Sequence, residues 1–158
     1  INFGDYLDVS SITPTGICTI TSTFVGSNQL GQRTEVSQQT GTLTDTGNTS
    51  KANIQFAGFK SYTLYKVETS HAAWVTLYTN QATRTADASR SITTDPADGS
   101  GVIAEVVTSG AQTKLITPAT IGFNDDNPVS TTIYAKVENK SGGSANITVT
   151  LTILQLET

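Results

Sequence analysis

Residues 59–79 read FKSYTLYKVETSHAAWVTLYT, and the alternation inside this stretch decides the fold. In residues 73–79, Ala73, Val75 and Leu77 fall on one side of an extended chain and Trp74, Thr76 and Tyr78 on the other. That period of two is what a strand with one face on a core requires. The whole stretch reads as two β-strands joined at Thr69-Ser70-His71-Ala72, a packing element and not a reactive one. Trp74, the single tryptophan, lies opposite the apolar row. Its cover is therefore expected to be an N-terminal arm, a neighbouring subunit or a sugar.

Two later segments repeat the pattern. In residues 132–138, Ile133, Ala135 and Val137 alternate with Tyr134 and Lys136, and in residues 146–153 Ile147, Val149, Leu151 and Ile153 alternate with Asn146, Thr148, Thr150 and Thr152. The row Ala73, Val75, Leu77 is expected to face Ile147, Val149 and Leu151 across a sandwich. Ser141-Gly142-Gly143-Ser144 between the last two strands suits an antiparallel hairpin. Weaker strands fall at residues 101–107 and 113–116, the latter followed by Pro118, with turn chemistry at Asp95-Pro96-Ala97-Asp98-Gly99, Ser109-Gly110 and residues 124–128. Short strands with no helical period between them predict an all-β fold, an antiparallel β-sandwich of jelly-roll-like type.

The first third reads differently. Residues 1–16 are irregular, with a turn at Pro14 and Gly16. Residues 17–25 (ICTITSTFV) are a strand candidate, 33–38 a short strand, and 40–46 alternate as TGTLTDT. Such threonine-rich alternation with few apolar residues needs a neighbour to cover it. Residues 1–57 are thus expected to form an N-terminal arm or accessory sheet and 58–158 the sandwich. Deleting residues 1–50 should then leave a folded domain.

At 158 residues the chain fits one ordinary domain. Charged residues make up 14%, below the roughly 25% typical of soluble domains, while Ser and Thr together supply about a quarter of the chain, a balance that favours strands. A formal charge of -4 argues against a nucleic-acid partner, which would call for a basic face. A single cysteine, Cys18, leaves no intramolecular disulfide, and no apolar run approaches the length of a membrane span. Methionine is absent, and upstream residues are therefore expected to have been removed or to lie outside this numbering.

Candidate chemistry is sparse. His71, the only histidine, sits in a turn, and zinc normally takes several His or Cys ligands. No Gly-x-Ser-x-Gly elbow or comparable nucleophile signature occurs, so neither an enzyme nor a cofactor is expected. Asp95 and Asp98, or Asp125, Asp126 and Asn127, could offer oxygens to calcium, but these residues are also the usual turn formers. Arg84 and Arg90 flank Asp87 in a charge-rich loop; they would pair with a carboxylate across an interface or within the chain. Trp74, Tyr78 and Tyr134 would stack on a sugar or pack in a core. The candidate interface or ligand contacts are accordingly Trp74, Tyr78, Arg84 and Arg90. Three sequons, at Asn48, Asn139 and Asn146, match chance in so Ser/Thr-rich a chain.

The runs GFKSYTLYKVETSHAAWVTLYT, TRTADASRSITTDPADGSGVIAEV, LITPATIGFNDDNPVSTTIYAKVENKSG and ITVTLTILQLE together resemble a module of virion proteins of tailed phages, notably cyanophages and other marine phages. The resemblance covers about the last 100 residues and carries no site residue. It implies a non-enzymatic structural protein of the particle, a capsid decoration or cement protein or a tail component, assembled in the host cytoplasm. Its partners would be other virion proteins and further copies of itself, with a trimer expected. The alternative it implies is a carbohydrate-binding receptor-recognition module of a tail fibre or spike that contacts a host surface glycan.

Overall fold

The computed structural model describes residues 32–157. The strand candidate at residues 17–25, with Cys18, lies outside the described residues. Among the described residues, eight strands make up nearly all of the regular structure: β1 (Arg33–Leu43), β2 (Lys51–Ala57), β3 (Ser61–Thr69), β4 (Ala73–Tyr78), β5 (Val102–Val107), β6 (Gln112–Phe123), β7 (Thr132–Asn139) and β8 (Ala145–Glu157). One short helix, α1 (Gln81–Ala86), follows β4.

The strands form two antiparallel sheets of four, ordered β1-β8-β3-β6 and β2-β7-β4-β5. Every connection except β4 to β5 passes from one sheet to the other. An eight-stranded sandwich wound in this order is a jelly roll. The core lies between the sheets, where Ala73, Val75 and Leu77 of β4 join Ile147, Val149, Leu151 and Ile153 of β8 in one buried cluster. The opposition expected from alternation is therefore present.

Three expectations are corrected by the pairing. The last two strands are not a hairpin: β7 lies between β2 and β4, while β8 lies between β1 and β3 in the opposite sheet. Ser141–Ser144 turns the chain through Gly142, whose φ of 77° suits glycine, but such a turn serves a crossing between sheets as well as a hairpin. Nor do residues 33–57 form an arm. β1 runs antiparallel to β8 from Arg33↔Leu154 to Leu43↔Ala145, and β2 pairs with β7 along its length. Leu43, Ile54 and Phe56 are in the core. The thin apolar content of β1 reflects its edge position, in which the exposed face carries Ser37 and Gln39 against Thr150 and Thr148.

The third correction concerns Pro118, expected to end a strand. β6 continues through it to Phe123, with a register jump in which Leu64 pairs with Thr120 and Lys66 with Leu115. Proline lacks a donor, which an edge strand tolerates at a bulge. Near the end of β6, Gly122 lies under the buried Tyr62 ring, where any Cβ would overlap the ring carbons.

At one end of the sandwich the 44–50, 70–72, 108–111 and 140–144 connections gather. Asn139, wholly buried, ties the first and last of these together: its Nδ2 donates to the carbonyls of Leu43 (3.1 Å), Thr44 (3.1 Å) and Gly143 (2.7 Å), and its Oδ1 accepts from the Ser141 amide at 2.9 Å. The sequon at Asn139 is thus occupied by structure. Asn139→Ala leaves buried carbonyls unpaired and is expected to lower stability by about 3 kcal/mol, measured by urea denaturation; an unchanged midpoint would contradict this role.

Candidate functional site

The four side chains singled out from the sequence converge on one place, the outer face of the β2-β7-β4-β5 sheet. Trp74, Thr76 and Tyr78 point away from the core, as their alternation requires, yet Trp74 is 2% and Tyr78 1% exposed. Their cover is the chain itself. Residues 80–94 fold back over this face, with α1 against β4 and β7. Asn80 starts the helix as N-cap: its Oδ1 accepts from the Thr83 amide at 2.8 Å, while the Asn80 amide meets Thr83 Oγ1. A capping box made with threonine in place of Glu or Gln is a faint signal in sequence, and this stretch reads there as a loop.

Asp87, the helix C-cap, is the hub. Its carboxylate accepts from Arg90 Nε at 2.7 Å, Tyr78 Oη at 2.7 Å and Lys136 Nζ at 3.3 Å, and its carbonyl accepts a second bond from Lys136 at 2.6 Å. Glu105 forms the next link. One of its oxygens accepts from Arg90 Nη2 (2.6 Å), Trp74 Nε1 (3.1 Å) and Thr76 Oγ1 (3.3 Å). The register explains the convergence, because Lys136, Thr76 and Glu105 are cross-strand neighbours in one row of β7, β4 and β5. Two cations approach Trp74, with Arg90 and Lys136 each 5.0 Å from its ring centre.

Arg84 leaves the helix on the buried side, donates from Nη1 to the Ile54 carbonyl at 3.0 Å and lies 5.1 Å from the centre of the Tyr134 ring. Its Nε has no hydrogen-bond partner among the described residues. Arg90 thus makes the within-chain pairing with carboxylates, Asp87 and Glu105, whereas Arg84 bonds a backbone carbonyl instead. With Trp74, Tyr78, Arg84 and Arg90 all turned inward, a ligand could reach them only if residues 80–94 lifted.

The electrostatics follow from this closure. Burial alone would raise the Asp87 carboxyl, but the bonds from Arg90 and Tyr78 and the charge of Lys136 outweigh it and hold the group below the ordinary aspartate range. Burial and the bond to Asp87 push the Tyr78 hydroxyl up. Burial lowers the Lys136 ammonium, with Asp87 acting in the opposite direction. A carboxyl depressed in the folded state stabilises the fold above its unfolded value and loses that contribution as pH falls through the folded value. The melting temperature is therefore expected to hold from about pH 7 to about pH 5 and to drop below about pH 4. Asp87→Asn should flatten that acid limb; an identical limb in the variant would place the titration elsewhere.

The remaining candidates lie apart. His71 is exposed in the β3–β4 turn with Nδ1 3.0 Å from Ser70 Oγ, and that hydroxyl accepts from the Thr148 amide, so the pair fastens a loop. Asp126 accepts from Tyr134 Oη at 2.7 Å, from Asn124 Nδ2 and from Ser130 Oγ, all within the 124–134 segment. Among the described residues no three His, Cys, Asp or Glu side chains gather as a metal site would require. Compared with protein-family models, with curated proteins and with solved structures, the chain finds no match.

Glu105 and Lys136 went unnoticed in sequence as members of the cluster. The available signal was a charged residue within each short apolar strand, Val102–Val107 and Thr132–Asn139. Chemically the cluster is turned on itself: the Asp87 carboxylate takes three donors, and one oxygen of Glu105 takes three more. It fastens a long connection to a sheet.

Proposed function

We propose that this chain is a non-enzymatic structural protein of a phage particle, a capsid decoration or tail component that works through contacts between subunits. The observation that carries this role is the jelly-roll strand order, an architecture used by viral capsid and lectin domains. The resemblance of residues 58–157 to tailed-phage virion proteins points the same way. The densest polar cluster among the described residues is spent on internal fastening. The proposed partners are other virion proteins and further copies of the chain, three in the expected oligomer, and the proposed location is the virion.

The glycan-binding alternative would draw on Trp74, Tyr78 and Tyr134, which are buried beneath residues 80–94 or against Asp126. No observation favours it over the assembly role. Light scattering on the purified chain, with co-sedimentation on particles lacking it, tests the proposal. An oligomer that binds particles is expected. A stable monomer that fails to bind would overturn it.

A further inference from the structure

The outer face of the β1-β8-β3-β6 sheet is polar over most of its length. Ser37 and Thr150 share a hydrogen bond of 2.7 Å, Gln39 donates to Thr148, and Thr113 donates to Glu68. One end of the sheet differs. There Ile121 is 65%, Phe123 49% and Leu156 43% exposed, with the half-buried Leu154 beside them.

The register brings these residues together. Tyr62 points into the core, so Thr63 points outward, and Ile121 directly opposite Thr63 shares that face. Thr63 also pairs with Leu154, and Leu154 with Arg33. Arg33, Leu154, Thr63 and Ile121 therefore form one row across all four strands. The chain enters β1 in the row that carries the apolar patch. The guanidinium of Arg33 already lies across this sheet, 4.6 Å from the centre of the Tyr65 ring. Beyond Ile121 and Phe123 lies a groove of about 500 Å³ of mixed lining, with Pro96, Val102 and Ile103 beside Thr79, Asp98 and Ser100.

We propose that the occupant of this patch is the chain's own segment before Arg33, residues 17–32, which brings apolar side chains to Ile121, Phe123, Leu154 and Leu156. Reach allows it: the row spans three strand spacings, about 14 Å, and residues 26–32 extended cover about 23 Å. Composition suits it as well, since residues 9–32 hold no Asp, Glu, Lys or Arg and would bury no charge. Covalent attachment also gives the segment a millimolar effective concentration at the patch, which a second copy lacks at ordinary dilution.

Cys18, the sole cysteine, allows a direct test. With a nitroxide on Cys18 of the ¹⁵N-labelled full chain, the amides of Ile121, Phe123 and Leu156 are expected to lose most of their intensity, and those of Asn53 and Gln55 on the opposite sheet to keep theirs. A mixture of nitroxide-labelled unenriched chain with unlabelled ¹⁵N chain should show no such loss. The double substitution Ile121→Ser with Phe123→Ser should abolish the effect while the melting transition stays in place, because both side chains are exposed. Undiminished amides in the first sample, or loss that survives the double substitution, would overturn the proposal. Loss in the mixed sample would overturn it in favour of a second copy.

Discussion

Asp87→Ala is expected to lower the unfolding free energy by about 3–5 kcal/mol, the cost of removing one partner from a buried ion pair. The size follows from what is left behind. Arg90, Tyr78 and Lys136 all direct donors at this carboxylate, and the Arg90 and Lys136 side chains are 8% and 2% exposed. Neither cation can recover water without moving residues 80–94. For a domain of this size the loss corresponds to about 10 °C in melting temperature. Because Arg90 also covers the Trp74 ring, the tryptophan emission of the variant should shift to the red before global unfolding, as that segment loosens. Asp87→Asn keeps the shape and an acceptor and should cost less than alanine. A melting temperature within 2 °C of wild type for Asp87→Ala, about 1 kcal/mol or less, would show that the hub adds little to the fold.

Removing residues 1–57 is expected to abolish the cooperative unfolding transition. The deletion takes β1 and β2 from the sheets, and with them Leu43, Ile54 and Phe56 from the core. Each such side chain contributes about 1.5–3 kcal/mol on burial, and the loss of β1 and β2 also opens the ladders along β8 and β7. Together these losses approach the 5–15 kcal/mol total typical of a domain. A point substitution checks the cause without changing chain length. Phe56, 2% exposed, should cost about 3–5 kcal/mol when replaced by alanine. If the chain from residue 58 onward unfolded cooperatively at the wild-type midpoint, β1 and β2 would be dispensable and the core assignment wrong.

The part β1 and β2 play in the core bears on how the fold is encoded. β4, β7 and β8 announce themselves because alternation is a local property of a strand with one buried face, and Val75, Ala135 and Val149 satisfy it without reference to any partner. β1 carries the same role with fewer apolar residues, since an edge strand buries less. Its stretch RTEVSQQTGTL therefore resembles an exposed arm until β8 is placed beside it. Turn chemistry is equally local, which is why Ser141-Gly142-Gly143-Ser144 marks a reversal without saying which sheet the next strand joins.

The candidate site divides in the same way. Trp74 can be assigned to the non-core face from alternation, and Asp87 stands between Arg84 and Arg90 in the chain, so both are legible as residues of interest. Their meeting with Glu105 and Lys136 is not, because it depends on the register of β5, β4 and β7 and on the path of residues 80–94 across them.

By itself, then, the sequence determined the all-β class, the core faces of β4, β7 and β8, and the side of β4 on which Trp74 lies, because these depend on contacts within a few residues. Only the tertiary structure decided that β7 and β8 belong to opposite sheets, that β1 and β2 complete those sheets, and that the cover of Trp74 is the chain's own Asn80–Thr94 segment. Those outcomes rest on pairings between residues as far apart as Arg33 and Leu154, and no local period records them.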